Sequence, residues 1–422
     1  MSFVEQLTWC PKTHKMTSGA STAITGGNMD KQVAVAGNKR RAVYVDRARG
    51  AVIAIVLFSH AMNVVEGWAT EAPAGVWGVL SLVIRTGTPT FFVVFGIAVE
   101  IVHVNRWRNG NANKVRHALL KRALQCYVAF ALVAVAGFVG GLSSFTEMLQ
   151  GLIFVAEVPN GTVLSFYALA LLACLALIPL RLRIGTIPTL VLTIVWWPLA
   201  AALESVFGNP DDAPFALARV LGVGDGVGPS VAHGLALVAG GMVLGRLVRA
   251  MLDGAVTRRI IVEVTSVICV ASAATVFLTS RLGPEGVFRG YTDLSEFRQT
   301  NHWGYFTIGF LLATGILVAA YLLVEKIGIT KQRKPGPFGS SSLLAFGGGN
   351  VVLNLFGSSI TATSAVQAVA ISVAFTVAIW LVIKLDRIRR DAGPGSMLEG
   401  RRRLPLRNDA RQLSRTSAPS DI

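Results

Sequence analysis

One apolar segment carries an arginine and a histidine whose residue types and spacing would suit a functional site. Arg49 precedes an apolar run that ends at Val65, and His60 is the one ionisable residue inside that run. In a helix, the eleven residues from Arg49 to His60 cover about 16 Å, roughly half the hydrocarbon thickness of a membrane. An ionisable side chain at that depth is costly, so the pattern predicts a functional histidine.

The composition is that of a membrane protein. The chain has 422 residues, of which 53% are hydrophobic and 15% charged, with a mean hydropathy of +0.58. Soluble domains carry about 25% charged residues. The four cysteines are isolated and predict neither a disulfide framework nor a metal site: Cys10, Cys126, Cys174 and Cys269. No P-loop, nucleophile elbow or paired-histidine metal motif is present.

Ten apolar runs predict an all-α, polytopic integral membrane helix bundle with about ten transmembrane helices. They lie near 48–65, 86–104, 119–140, 162–180, 186–205, 230–248, 260–280, 302–324, 342–360 and 366–385. The shorter segment 143–157 predicts a re-entrant segment or a stub. Residues 1–38 and the basic residues 386–422 predict disordered tails around one transmembrane domain, 39–385.

The distribution of charge predicts the orientation. With ten spans and both termini in the cytoplasm, 34 of the 39 lysines and arginines fall on the cytoplasmic side. The five others are Arg85, Arg219, Arg281, Arg289 and Arg298. The net charge of +16 therefore indicates membrane orientation and contact of the basic tail with anionic lipids, not nucleic-acid binding. The composition suggests a bacterial cell membrane.

The opening segments resemble the acyltransferase-3 family of membrane enzymes. Asp46, Arg49 and His60 form a pattern similar to the family's R-x-x-x-D-x-x-R-G and the histidine that follows it on the first helix. The stretch Gly87–Gly96 is similar to the family's F-F-x-x-S-G segment. Phe95 stands in place of the serine, a variant that resembles the related heparan-α-glucosaminide N-acetyltransferases.

Further along the chain the resemblance continues in part. Lys121 and Arg122 are similar to the family's basic loop, and Val158–Leu180 resembles the OpgC-like glucan-modifying branch. The second arginine of the family's loop falls on Gln125, and the usual closing pattern of tyrosine and histidine is not found around Gly347–Ser359. Beyond the first half of the chain, the resemblance rests on the number of helices.

The resemblance implies an integral membrane O-acyltransferase without a bound cofactor. Such an enzyme moves an acyl group, often acetyl, from cytoplasmic acyl-CoA to a hydroxyl of an extracytoplasmic glycan, glycolipid or similar acceptor. It implies that His60 is the general base, because an imidazole titrates near neutrality. Arg49 would anchor the donor, and Asp46, one turn earlier, would orient Arg49.

Binding the phosphate groups of the acyl-CoA donor requires further cations besides Arg49. Arg47, Lys121 and Arg122 would supply charge-assisted hydrogen bonds to them. Glu100 lies one turn before His103 at the predicted inner end of the second helix. It either faces the donor or caps the bundle with a basic partner.

The acceptor is expected to meet the predicted outer loop Arg281–Asn301 and the residue that follows it. Arg289, Tyr291 and His302 offer the mixture of charged and aromatic groups that sugar hydroxyls favour. An ordered outer loop with a structural role is the alternative.

Other functions stay open on the sequence alone. His60 could form only an interhelical hydrogen bond, and the arginines could serve only as orientation anchors. The whole protein could be a transporter or exporter of a small molecule or glycan. It could also be a degenerate, non-catalytic member of the acyltransferase-like class.

Overall fold

The computed structural model describes residues 42–65, 76–207, 219–223, 228–327, 336–362 and 364–391. These residues are overwhelmingly helical and contain no strand. The predicted tail 1–38 lies outside them, as does most of 386–422. The prediction of disorder from residue 386 was wrong for 386–391, because the last helix continues to Asp391.

The principal α-helices in this part of the chain follow the apolar runs. In order they are α1 (Val43–Val64), α2 (Val76–Arg85), α3 (Gly87–Ala98), α4 (Asn105–Arg108), α5 (Ala112–Val139), α6 (Phe145–Leu152), α7 (Thr162–Ile184), α8 (Thr186–Phe207), α9 (Val231–Asp253), α10 (Arg258–Thr292), α11 (Trp303–Tyr321), α12 (Pro337–Ser340), α13 (Ser342–Phe356) and α14 (Ala365–Asp391). Three π-helical segments are Val99–Val104, Leu294–Arg298 and Leu322–Lys326.

Among the described residues, eight helical stretches are long and apolar enough to cross a membrane, so the chain is a multi-pass helical membrane protein. They are Gly78–Arg108, Ala112–Val139, Thr162–Ile184, Thr186–Ser205, Val231–Asp253, Arg258–Thr292, Trp303–Lys326 and Ala365–Arg389. The two other predicted spans are also helical, as α1 with 22 residues and α13 with 15. They are not among the eight: α13 is short, and α1 carries three charges in its first two turns.

One boundary was wrong. The predicted outer loop Arg281–Asn301 is helical up to Thr292, because a second helical stretch follows the break at Gly283 within α10. At Gly283 the backbone adopts φ 72° and ψ 161°, a conformation that favours glycine, and Pro284 then starts the next helical turn. The two helix-breaking residues therefore make a kink rather than a loop.

The short segment 143–157 contains the eight-residue helix α6. Ser144 Oγ accepts a hydrogen bond from the Glu147 backbone N–H at 3.2 Å, and a Glu147 carboxylate oxygen accepts one from the Ser144 N–H at 2.7 Å. This reciprocal cap starts the helix. The segment therefore contains a helix that is too short to cross a membrane.

The centre of the bundle is a close contact between α3 and α9. A Cβ added at Gly96 would lie 2.0 Å from the carbonyl oxygen of Val238, and one at Gly241 would lie 2.2 Å from that of Val93. In the most apolar 18-residue window of each span, 78% of the residues are buried in the span that contains α3 and 67% in the span of α9, compared with 11% in the span of α10. Small residues let two backbones touch, which is how helices gain packing energy within a membrane.

Loops predicted to lie on one side of the membrane do come together. Arg108, Gly185 and Ala255, from three predicted cytoplasmic loops, line one cavity. We call the end of the bundle that carries these three residues the basic end. At the opposite end, Arg219 Nη2 donates a hydrogen bond to the Thr162 carbonyl oxygen at 3.0 Å.

We expect Gly241→Ala to destabilise the fold, because its methyl group would force α9 away from the Val93 carbonyl. Overpacking of this kind costs about 1–3 kcal/mol. The measurement is the midpoint of thermal unfolding of the purified protein in detergent. Gly315→Ala on α11 is the control, since a Cβ there meets nothing within 4 Å. Equal midpoints for the two variants would contradict the role of the glycine contact.

Candidate functional site

His60 is held by a side chain from α13. Its Nδ1 lies 2.8 Å from Oδ1 of Asn350, whose side chain is fully buried, while the His60 ring is partly buried. An amide oxygen only accepts hydrogen bonds, so with this amide orientation Nδ1 carries the proton and Nε2 keeps its lone pair. That is the tautomer in which the Nε2 atom of a histidine can act as a general base.

The side chain of Asn350 also has a hydrogen-bond donor that is not used. Within the described residues, the Asn350 amide nitrogen is buried and has no hydrogen-bond partner. An unsatisfied buried donor costs about 1–3 kcal/mol. A carbonyl oxygen brought next to His60 would satisfy it.

Glycine brings α13 close to α1. A Cβ at Gly349 would lie 2.6 Å from Cδ2 of Leu57, one turn before His60. One turn after Asn350, the Asn354 amide nitrogen donates to two backbone carbonyl oxygens, those of Val133 at 3.0 Å and Pro159 at 2.9 Å. The family resemblance leads to a tyrosine and a histidine in this helix, and the two asparagines were missed as site candidates. Their i, i+4 spacing in an apolar helix was the available signal.

A cavity of about 90 Å³ lies beside this pair at the basic end, lined by Arg49, Arg122 and His103 among others. Arg49 Nη1 is 3.9 Å from Asp46 Oδ1, the i+3 contact predicted from the sequence. Arg122 Nη1 donates to Gln125 Oε1 at 3.2 Å. Two guanidinium groups lining one cavity favour an anionic ligand there.

Aromatic rings form the wall between this cavity and His60. Phe346 lines the cavity, and its ring centroid lies 5.7 Å from that of His60 and 5.5 Å from that of Phe91. The Tyr167 hydroxyl donates to the Phe91 carbonyl oxygen at 3.0 Å, and both residues also line the cavity. His60 itself is not a lining residue, so one ring separates the imidazole from the cavity.

Glu100 belongs to a different cavity. It lies in the π-helical segment Val99–Val104, from which His103 faces the Arg49 cavity while Glu100 lines the cavity on the other side. The carboxylate accepts hydrogen bonds from Arg181 Nε at 3.0 Å and Nη2 at 2.7 Å. The structure thus gives Glu100 the bundle-capping contact with a basic partner and does not bring it together with the predicted donor residues.

Two other predicted donor residues lie outside the Arg49 cavity. Lys121 is exposed on α5. The Arg47 guanidinium points towards Gly336, since a Cβ there would lie 3.8 Å from Arg47 Nη1. Both cations contribute to the charge of the basic end without lining the cavity.

The structure does not gather the three predicted acceptor residues into one cavity of its described part. Arg289 is exposed on α10, and Tyr291 is 2% exposed with its ring stacked on Tyr305. His302 caps α11, where its Nδ1 accepts the Gly304 N–H at 3.1 Å. Burial lowers the pKa of His302, which favours the neutral form that this cap needs.

Three arginines at the opposite end, Arg85, Arg219 and Arg298, were missed as site candidates. Arg219 Nη2 donates hydrogen bonds to the Thr162 carbonyl oxygen and to Ser165 Oγ, each at 3.0 Å. Arg85 Nε donates to the Thr292 carbonyl oxygen at 3.1 Å. The available signal was their rarity, because only five cations fall on the predicted outer side.

No family model matches this chain, and no curated protein matches it. The resemblance to the acyltransferase-3 family therefore stays a prediction that rests on the motifs.

We expect Glu100→Gln to destabilise the protein, because it leaves the buried Arg181 charge without its partner. Removing one member of a buried ion pair costs about 3–5 kcal/mol. The double variant Glu100→Gln/Arg181→Gln should recover part of the loss. The readout is again thermal unfolding in detergent, with Glu285→Gln, an exposed carboxylate on α10, as control. If the Glu100 variant unfolds at the same temperature as the control, the ion pair is not a structural anchor.

Proposed function

We propose that this protein is an integral membrane O-acyltransferase, which transfers an acyl group from acyl-CoA to a hydroxyl of an acceptor from the other side of the membrane. The observation that carries the proposal is the His60–Asn350 pair, one aromatic ring away from a cavity lined by Arg49 and Arg122. Acyl transfer from a CoA thioester needs a base for the hydroxyl and cations for the phosphates. The arrangement offers both.

On the donor side, Arg49 and Arg122 bind phosphate oxygens of acyl-CoA, and Asp46 orients Arg49. The cavity of about 90 Å³ is much smaller than the pockets that enclose a whole nucleotide-sized ligand, which measure about 300–1,000 Å³. We propose acetyl-CoA as the donor, with phosphate oxygens at the two arginines, the rest of the nucleotide outside the cavity, and the pantetheine arm extending towards His60.

In the proposed reaction, Nε2 of His60 takes the proton from the acceptor hydroxyl while that oxygen attacks the thioester carbonyl carbon. The Phe346 ring turns aside to let the thioester reach the imidazole. The Asn350 amide oxygen accepts a hydrogen bond from Nδ1 and so stabilises the imidazolium that forms. When the intermediate collapses, the C–S bond breaks and the imidazolium returns its proton to the thiolate, which leaves an ester and free CoA.

The acceptor, a glycan or lipid-linked molecule, reaches His60 from the opposite end of the bundle, where Arg85 and Arg219 donate hydrogen bonds to the carbonyl oxygens of Thr292 and Thr162. We also propose that α1 and α13 complete ten spans, that both termini are cytoplasmic and that the protein lies in a bacterial cell membrane. The basic end then faces the acyl-CoA pool.

We expect His60→Ala to abolish transfer by removing the base, a loss of about 10²–10⁴-fold. Inverted membrane vesicles supplied with radiolabelled acetyl-CoA are assayed for label in glycan and lipid fractions. Asn350→Ala should show a smaller loss, because the imidazole remains but is no longer held in one tautomer. His117→Ala, an exposed histidine on α5, should transfer normally.

No transfer by the wild type from acetyl-CoA or long-chain acyl-CoA would overturn the proposal. Flux of a solute without a covalent product would then favour a transporter, and neither activity would favour a non-catalytic membrane protein. Normal transfer by His60→Ala would remove His60 from the site.

Arg122→Gln should raise the KM for acetyl-CoA about 10- to 100-fold, because it removes charge-assisted hydrogen bonds to the donor. Its sequence neighbour provides a matched control: Lys121→Gln removes an exposed cation that does not line the cavity. The KM of the Lys121 variant should stay within about twofold of the wild type, since exposed charges act weakly. Equal increases in both variants would show a general effect of charge and contradict the assignment of the cavity.

A further inference from the structure

A second cavity at the basic end is larger and more highly charged than the first. It has a volume of about 470 Å³ and lies across the π-helical segment from the Arg49 cavity. Three carboxylates and five arginines line it, the arginines being Arg108, Arg181, Arg246, Arg249 and Arg259. The lining therefore has an excess of positive charge.

The carboxylates orient the guanidinium groups without consuming their hydrogen-bonding capacity. Glu263 accepts from Arg259 Nε at 3.0 Å and also binds Arg246, while Arg181 uses Nε and Nη2 for Glu100. Each guanidinium has five N–H donors, so donors remain on every one of them. A set of oriented arginines with net positive charge is the chemistry that recognises phosphate.

An apolar groove continues from this cavity. It has a volume of about 570 Å³ and runs between α8, α9, α10 and α11, with lining residues such as Val191, Val270 and Phe310. Ile187 and Glu263 line both the groove and the charged cavity, so the two spaces adjoin. The α8 and α10 spans are only 22% and 11% buried, which places the groove on a side of the bundle that faces lipid.

We propose that the cavity and the groove together bind one anionic phospholipid, with its phosphate among the arginines and an acyl chain in the groove. A soluble phosphate would use the cavity and leave the apolar groove unfilled. A neutral lipid would fill the groove but would not complement the arginines. Basic pockets between transmembrane helices on the cytoplasmic side are sites for anionic headgroups. The inference does not depend on the proposed acyl transfer.

The test uses the whole protein, delipidated in a neutral detergent, and follows its thermal unfolding midpoint as lipid is added. Phosphatidylglycerol should raise the midpoint in a saturable way, since a ligand of the folded state stabilises it by mass action. Phosphatidylcholine with the same acyl chains, and inorganic phosphate alone, should raise it far less at equal concentrations.

Two matched pairs of variants test the two halves of the site. Arg108→Gln removes an exposed arginine of the cavity, and Arg183→Gln, an exposed arginine of α7 outside the lining, is its control. Ala274→Phe fills the groove, and Ala273→Phe adds the same ring on an exposed neighbour that does not line it. The half-saturating phosphatidylglycerol concentration should rise about tenfold for each site variant and stay unchanged for each control.

Three outcomes would overturn the proposal. Equal stabilisation by phosphatidylcholine would mean that the site does not select anionic lipid. A full shift with inorganic phosphate would mean that the cavity binds a free anion. Identical responses of the site and control variants in either pair would mean that phosphatidylglycerol acts elsewhere on the protein.

Discussion

The backbone contact between α3 and α9 is the constraint on which the rest of the structure depends. Because Gly96 and Gly241 have no side chains, the two helices touch, and α3 can continue into Val99–Val104 against α9. Contact persists there, since a Cβ at Gly245 would lie 2.9 Å from Cβ of Glu100. The π-helical segment is thereby fixed as the partition between the two arginine-lined cavities. Within a membrane such steric fit replaces the hydrophobic effect as the source of packing energy.

Several polar side chains inside the bundle have polar partners, which the low dielectric of a membrane interior favours. Glu100 is matched by Arg181, His60 by Asn350, and Asn354 by two backbone carbonyl groups. Among the described residues the Asn350 amide nitrogen is buried without a hydrogen-bond partner, as are Trp197 Nε1 and Thr186 Oγ1. What distinguishes Asn350 is that the same side chain also contacts an imidazole, that of His60.

The features that could be predicted from the sequence were those formed by residues close together in the chain. Hydropathy located the apolar helices, eight of which, among the described residues, are long and apolar enough to cross a membrane, and helical spacing predicted the contact between Asp46 and Arg49. The partner of His60 could not be predicted, because Asn350 lies 290 residues away and no periodicity connects the two. The kink at 283–284 was missed for a different reason. Glycine followed by proline signals a break in the helix, and only the packed structure decides between a bend and a loop.

The basic residues behind the net charge of +16 have more than one physical role. Membrane orientation needs only exposed cations such as Lys121, which cost nothing to solvate. A buried arginine such as Arg181 loses hydration and adds little to orientation, and the Glu100 carboxylate compensates for that loss. Arg85, Arg219 and Arg298 oppose the orientation bias and are at least partly buried. Arg85 and Arg219 donate to the backbone carbonyl oxygens of Thr292 and Thr162, so the fold itself supplies acceptors for cations that it removes from water.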